Sequence, residues 1–120
     1  MEIRARDRVT PFVTADGSTI RELVGLRATP GVAAHSLAEA SLEPGQATDR
    51  HYHGRTEETY YLVEGQGLME LDGETAEVVA GDAILIPPGS RHQIRNTGDG
   101  PLRLLCACAP PYRDEDTFFD

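Results

Sequence analysis

Three histidines and a neighbouring pair of glutamates form the set of side chains with the clearest potential for chemistry. The chain has 120 residues and only four histidines, and three of these, His51, His53 and His92, lie in two glycine-containing segments, residues 45–65 and 81–96. Imidazole nitrogens combined with a carboxylate oxygen suit divalent transition metals. An ion with open coordination positions would allow reactions that side chains alone cannot perform. The fold must therefore bring the two segments to one place.

The spacing in the first segment predicts two imidazoles on one face of a strand. Residues two apart on a strand share a face and lie about 6.6 Å apart, so His51 and His53 can reach one ion. The carboxylate has two candidates, Glu57 and Glu58. Glu58 is five positions after His53, and a continuous strand would place it on the opposite face. A turn or bulge at residues 54–56 would reset the register, so alternation alone leaves both glutamates open.

The third histidine of the set follows a sharp corner in the second segment. Residues 87–89 are Pro-Pro-Gly, in which proline fixes φ and glycine permits a positive φ. This corner would end one strand and direct the next, which begins near His92. Asn96 shares face parity with His92 and precedes a turn, so we predict turn hydrogen bonding for it. His35 lies outside both segments and is predicted to be an ordinary surface or core residue.

Regularly spaced turn signals predict the elements that position these residues. Pairs such as Asp16-Gly17 recur along the chain, mostly eight to sixteen residues apart. This spacing indicates a single domain over residues 1–120, built as an antiparallel sandwich or barrel. Residues 33–42 contain good helix formers but are predicted as a strand because the sheet needs partners. The predicted strands are 19–26, 33–42, 59–63, 67–71, 74–79, 83–86, 92–96 and 102–109.

Composition narrows the range of partners. The formal net charge is −9, from 11 basic and 20 acidic residues, so phosphate backbones and anionic membranes are repelled. We predict no nucleic-acid partner and no membrane partner, since no apolar run approaches the ~20 residues of a membrane span. No signal peptide is evident. Cys106 and Cys108 are two apart on one predicted strand and are not expected to pair with each other, so a reducing, cytoplasmic location is expected.

The two segments resemble the two sequence motifs of the cupin superfamily, in its small bacterial single-domain form. The first motif is matched by a glycine, two histidines, a glutamate and a second glycine: Gly45, His51, His53, Glu58 and Gly65. The second is matched by Gly81, Pro87, Gly89, His92 and Asn96. The six residues between Glu58 and Gly65 favour Glu58 over Glu57 as the motif carboxylate.

The resemblance implies an all-β fold, a double-stranded antiparallel β-barrel of the cupin-like jelly-roll type, often as a homodimer. It also implies one divalent metal at the barrel mouth, bound by four side chains: His51, His53, Glu58 and His92. The donor set suits Fe(II), Mn(II), Co(II), Ni(II), Cu(II) or Zn(II), and the sequence does not choose among them. An open sheet edge at residues 19–26 would also favour pairing with a second copy.

The predicted function is that of a small metalloenzyme acting on an oxygen-rich organic substrate, of dioxygenase, decarboxylase, lyase or isomerase type. Tyr60 shares parity with Glu58 and is a candidate catalytic hydrogen-bond donor, the alternative being a core residue with a satisfied hydroxyl. Cys106 and Cys108 are predicted to pack in the core. The alternative function is a non-catalytic cupin that binds a small molecule or sugar around a structural metal. No general acid or base is evident from the sequence.

Overall fold

The computed structural model describes residues 1–119 and consists mainly of antiparallel β-strands, numbered here in chain order. The largest sheet has six strands in the spatial order β1 (Phe12–Val13), β2 (Thr19–Val24), β3 (Ser36–Leu42), β10 (Leu102–Ala109), β5 (Glu57–Glu64) and β8 (Ala83–Ile86). A second sheet contains β7 (Glu74–Val79), β6 (Gln66–Leu71) and β9 (His92–Asn96), and a two-stranded sheet pairs β11 (Thr117–Phe118) with β4 (Tyr52–His53). Short 3-10 turns lie at Arg6–Arg8 and Asp114–Asp116.

The hydrophobic core lies between the six-stranded and three-stranded sheets. Alternate residues of each strand point inwards, as the period of two requires. Leu62, Leu102 and Leu104 from the large sheet are almost completely buried, as are Met69 and Ile94 from the smaller one. Each such side chain contributes about 1.5–3 kcal/mol through burial. The sheets do not close into one continuous hydrogen-bonded ring over residues 1–119, but the predicted all-β jelly roll is confirmed.

All eight predicted strands are present, and four of them, 74–79, 83–86, 92–96 and 102–109, have the predicted bounds. The segment with helix-forming composition is a strand, β3, because it pairs with β2 on one side and β10 on the other. Tertiary pairing therefore outweighs its local propensity. Two two-residue strands, β1 and β11, were not predicted, since two residues carry no detectable periodicity. Strand β4 is the short remnant of the strand that was expected to carry His51 and His53.

The prediction of an open edge at residues 19–26 is partly wrong. Strand β1 covers the start of β2, with Phe12 opposite Ile20 and Val13 opposite Thr19. The rest of β2 has no partner on that side within the described chain. No helix among residues 1–119 has the length and apolar character needed to cross a membrane.

Candidate metal centre

The chain between β4 and β5 makes the register change that the sequence requires. Strand pairing stops at residues 54–56, and Glu58 is buried on the far side of this break whereas Glu57 is exposed. The carboxylate of Asp116 accepts hydrogen bonds from the backbone N–H groups of Arg55, at 3.0 Å, and Thr56, at 3.1 Å. This corner turns Glu58 inwards and confirms the predicted interruption.

The histidines from the two motif segments meet as neighbours across a β-bridge. The backbone N–H of His51 donates to the carbonyl of His92 at 3.1 Å, and the reverse bond is 2.8 Å. Their ring centroids are 4.3 Å apart, and the ring of His53 lies 5.2 Å from that of His51. Ligand nitrogens of the three buried histidines lie within 4.8 Å of one another. The three residues could therefore hold a metal ion.

Backbone carbonyls orient two of the imidazoles. Nδ1 of His51 lies 2.7 Å from the carbonyl oxygen of Asp49, and Nδ1 of His92 lies 2.9 Å from that of Ser90. A carbonyl can only accept, so each Nδ1 carries a hydrogen, and in the neutral imidazole each Nε2 presents a lone pair. Such contacts fix the tautomer and direction of a metal-binding histidine.

The third imidazole is oriented by a side chain from the C-terminal segment. Nδ1 of His53 lies 3.1 Å from Oγ1 of Thr117. The Thr117 hydroxyl donates its own hydrogen to the carbonyl of Arg113 at 3.1 Å, so its oxygen accepts from His53. In the neutral form of His53, Nε2 is therefore also left with its lone pair. The short β11 strand thus forms part of the site.

The carboxylate of Glu58 approaches two of the histidines. Its Oε1 lies 3.2 Å from Nε2 of His53 and 3.5 Å from Nε2 of His92. Glu58 Oε1 and His92 Nε2 are buried, and neither makes a hydrogen bond with any described residue. An unsatisfied buried polar atom costs about 1–3 kcal/mol. A bound cation would satisfy both atoms, so the donor set fits the metal that the motifs imply.

The charges of the cluster are strongly coupled. Burial raises the pKa of Glu58, but the neighbouring His53 and His92 outweigh it and lower that pKa to about 2. Burial lowers the pKa of His53, and Glu58 more than reverses this, so the pKa is raised overall. Burial and the adjacent His92 lower the pKa of His51. An ionised carboxylate therefore lies among imidazoles of unequal basicity.

A cysteine holds the other oxygen of this carboxylate. The thiol of Cys108 donates to Oε2 of Glu58 at 3.3 Å, and Cys108 is buried. Burial raises the pKa of Cys108 and that of Cys106, so both thiols keep their protons. Both cysteines are free, as predicted. The prediction that both cysteines pack in the core is confirmed, since Cys108 is buried and Cys106 packs against the core cluster. The polar contact between Cys108 and Glu58 was not predicted, because it depends on the pairing of their strands.

A cavity lies beside the histidines and is mostly apolar. His51, His53 and Glu58 contribute to one side, and side chains such as Leu42 and Leu104 form the other walls. No lysine or arginine is among its lining residues in the described chain. The cavity could therefore admit a neutral molecule to the histidines, but it offers no basic side chain to bind an anion.

Tyr60 faces this cavity, as its parity with Glu58 predicts. Its ring centroid is 5.9 Å from that of His92, and the residue also belongs to the buried core. Burial raises the pKa of Tyr60 well above its ordinary value, so the phenol keeps its proton. Its placement fits both interpretations, and a catalytic role stays a prediction.

Besides Thr117, a second residue near the histidines was missed by the sequence reasoning. Asp16, recognised only as part of a turn, lines the cavity with its Oδ2 3.8 Å from Nε2 of His51. Nothing in its local sequence distinguishes it from other turn aspartates, because its position depends on how the β1–β2 turn folds over the barrel mouth.

Two further polar residues lie outside the cluster. His35 is exposed, in agreement with the prediction of an ordinary residue. The side-chain amide of Asn96 donates to the carbonyls of Leu42 and Gly100, each at 2.9 Å, and its oxygen accepts from the N–H of Gly98 at 2.9 Å. The prediction of turn hydrogen bonding by Asn96 is confirmed.

Comparison with known proteins agrees with the motifs. The family model described as a cupin domain matches residues 38–108, so the chain belongs to the cupin family. An uncharacterised protein of Methanocaldococcus jannaschii is 50% identical over 111 residues, which cover 92% of this chain and 88% of that protein.

Two solved structures have the same fold. A protein of Thermotoga maritima described as a predicted oxalate decarboxylase superposes with a TM-score of 0.80 at 24% identity, covering 91% of this chain and 99% of that one. The polyketide cyclase RemF of Streptomyces resistomycificus gives a TM-score of 0.78 at 26% identity, covering 97% and 89%. The similarity to the first structure shows a shared fold only.

Proposed function

We propose that this cupin is a metal-dependent enzyme acting on a small, neutral organic molecule that carries carbonyl or hydroxyl oxygens. His51, His53, Glu58 and His92 would bind one divalent transition metal. The observation that carries the proposal is the position of the mostly apolar cavity, which reaches the histidines and has no basic lining residue in the described chain. The metal would supply Lewis-acid or redox chemistry at a substrate oxygen.

The distances around Glu58 support its assignment as the fourth ligand. Donor atoms about 2.1 Å from one ion are about 3.0–3.4 Å apart when they are adjacent in tetrahedral or octahedral geometry. Glu58 Oε1 is 3.2 Å and 3.5 Å from the Nε2 atoms of His53 and His92. Little movement of this carboxylate would be needed for all three groups to share an ion.

The cavity walls favour a neutral substrate over a small dicarboxylate such as oxalate. A dicarboxylate bound through one end would leave its second charge without a cationic partner, and burying an unpaired charge is costly. A carbonyl compound with an apolar body would instead bury that body against Leu42 and Leu104. The similarity to RemF, a polyketide cyclase, supports this class of substrate.

Tyr60 would contribute a hydrogen bond to the substrate. Its protonated phenol can donate to an oxygen that gains negative charge during reaction, and a donor in a partly desolvated site is effective in this role. The hydroxyl is the candidate catalytic group of this chain. Its contribution is testable with Tyr60→Phe, which keeps the ring packed in the core.

The proposal is tested by loading the purified protein separately with Fe(II), Mn(II), Co(II), Ni(II), Cu(II) and Zn(II). Each form is given acetylacetone, as a neutral diketone, or oxalate, with and without oxygen, while oxygen consumption and product masses are followed. We expect turnover of the neutral substrate with at least one metal and its loss in His53→Ala. Metal binding without turnover across a wider panel of neutral diketones and hydroxyketones would instead support the non-catalytic alternative. Turnover of oxalate alone would contradict the substrate class.

We also propose that the protein forms a homodimer through the outer face of the six-stranded sheet. Tyr61 and Leu85 are exposed there, at 44% and 57%, and Tyr61 is aligned with Leu105 on the adjacent strand. Exposed large apolar side chains that lie close together on one sheet face are candidates for an interface. Light scattering should give twice the chain mass, and the double variant Tyr61→Glu, Leu85→Glu should give the monomer mass. A monomeric wild type would remove this proposal and leave the metal site unaffected.

A further inference from the structure

A second carboxylate faces the histidine cluster from the turn between β1 and β2. Oδ2 of Asp16 lies 3.8 Å from Nε2 of His51, and the Asp16 side chain is only 16% exposed. Glu58 approaches the other two histidines, so the two carboxylates contact different members of the cluster.

The turn holds Asp16 in one orientation. Its Oδ1 accepts hydrogen bonds from Thr14 Oγ1 at 2.6 Å, Ser18 Oγ at 2.7 Å and the Ser18 backbone N–H at 2.9 Å. The Asp16 carbonyl accepts from the N–H of Asp49 at 2.7 Å, which ties the turn to the chain just before His51. Within residues 1–119 no hydrogen bond reaches Oδ2. One oxygen thus anchors the carboxylate, and the other is available at the cavity.

The other acidic groups of the cavity have different roles. Glu22 Oε2 accepts from the backbone N–H groups of Arg27, at 2.9 Å, and Ala28, at 2.7 Å, and so stabilises the turn after β2. Glu58 is held through Oε2 by Cys108, and its Oε1 faces the proposed ion. Because no lysine or arginine of the described chain lines the cavity, the charge of Asp16 is not offset there by a basic side chain.

We propose that Asp16 determines which ligands bind next to the histidines. Its free oxygen would accept a hydrogen bond from a hydroxyl or amino group of the ligand, and its charge would disfavour anions. Two charges a few ångströms apart in a partly buried site interact strongly. This inference rests on the proposed metal site and narrows the proposed substrate to a neutral molecule that carries a hydrogen-bond donor.

The test compares an anion with a neutral donor of similar size. Wild type, Asp16→Asn and Asp16→Ala are loaded with Co(II) and titrated with azide and with hydrazine at one mildly alkaline pH, while the visible Co(II) spectrum is recorded. Asp16→Asn keeps an oxygen for the Thr14 and Ser18 contacts, and Asp16→Ala removes the carboxylate entirely. Asp99→Asn, at an exposed position between β9 and β10, is the control with the same change in net charge.

We expect both Asp16 variants to bind azide about tenfold more tightly than wild type, because a nearby negative charge is removed. Asp16→Ala should also bind hydrazine more weakly, and Asp99→Asn should match wild type with both probes. Unchanged azide affinity in Asp16 variants that fold and bind Co(II) would overturn the inference and leave the proposed function standing. Loss of Co(II) from both variants would overturn it too, by making Asp16 a ligand. A wild type that fails to bind Co(II) would overturn the proposed metal site itself.

Discussion

The thiol of Cys108 lies 3.3 Å from Oε2 of Glu58, so one oxygen of this carboxylate is held while the other faces two histidines. The contact joins adjacent strands, since Cys108 on β10 is directly opposite Glu58 on β5. The register of the sheet therefore helps to orient a side chain of the proposed metal centre.

Replacing this thiol should weaken metal binding. Residues that hydrogen-bond to metal ligands typically change affinity by about 10–100-fold when they are removed, so we expect a loss in this range for Cys108→Ala. Cys108→Ser keeps a donor and should retain more affinity. Cys106→Ala is the matched control, because Cys106 lines the same cavity without a hydrogen bond to Glu58 in the described chain. The metal affinities of wild type and the three variants are measured by competition with a chromophoric chelator. Equal affinities would contradict the role of Cys108.

Thr117 should have a comparable effect through His53. Thr117→Val keeps the side-chain shape but removes the oxygen that accepts from His53 Nδ1, so we expect metal affinity to fall about tenfold. Thr117→Ser keeps the hydroxyl and should retain most of the metal affinity of wild type. The same chelator competition applies. If valine and serine behave alike, the hydrogen bond to His53 does not contribute to metal binding.

The unfolding of the metal-free protein should show an acid-dependent step from Glu58. The pKa of Glu58 is about 2 in the folded state and near its ordinary value when unfolded, so its ionised form stabilises the fold above about pH 4.5. This stabilisation is lost as pH falls from about 4.5 towards 2. Urea unfolding at pH 3, 4 and 5 should therefore show a shallower pH dependence for Glu58→Gln than for wild type.

Glu57→Gln provides the control for this experiment. Glu57 is the exposed neighbour of Glu58, and its replacement should leave the pH dependence of wild type nearly unchanged. If both variants have the same slope, the carboxylate of Glu58 is not stabilised by the histidines. His53 and His51 have pKa shifts of opposite sign, so their contributions oppose each other at higher pH.

Gly65 should be required for packing as well as for backbone conformation. Its φ is +90°, and a Cβ there would lie 2.6 Å from the carbonyl oxygen of Pro101. Gly73 has a similar φ of +89°, but a Cβ at that position would meet no atom within 4 Å beyond its chain neighbours. We expect Gly73→Ala to lower the free energy of unfolding by about 1 kcal/mol and Gly65→Ala by about 3 kcal/mol or more. Equal losses in urea unfolding would show that the contact with Pro101 relaxes without cost.

The sequence was sufficient to predict the strands and the three histidines that meet in one cluster, because both depend on local spacing. Alternation placed His51 and His53 on one face. The six residues between Glu58 and Gly65, as in the cupin motif, favoured Glu58, which is buried while Glu57 is exposed. The corner at residues 87–89 correctly preceded the strand that begins at His92. These residues belong to sequence motifs in which the number of residues between successive members is fixed.

The parts that could not be predicted depend on contacts between distant segments. Asp16 and Thr117 reach the histidines from opposite ends of the chain, and neither has a distinctive local sequence. Alternation along its strand gives Cys108 the position of a core residue. Its hydrogen bond to Glu58 arises only because the two residues lie opposite each other on the adjacent strands β10 and β5. The strand β11 has two residues, too few for any periodic signal.

Metal stoichiometry after dialysis is the most direct measurement of whether the three histidines share one ion. Wild-type protein is incubated with Co(II), dialysed and analysed for metal, beside His51→Ala, His53→Ala, His92→Ala and, as the control, His35→Ala at an exposed site. We expect one ion per chain for wild type and His35→Ala, and much less than one for each of the other three variants. A wild type that retains no metal, or three variants that retain it as well as His35→Ala does, would contradict the shared site.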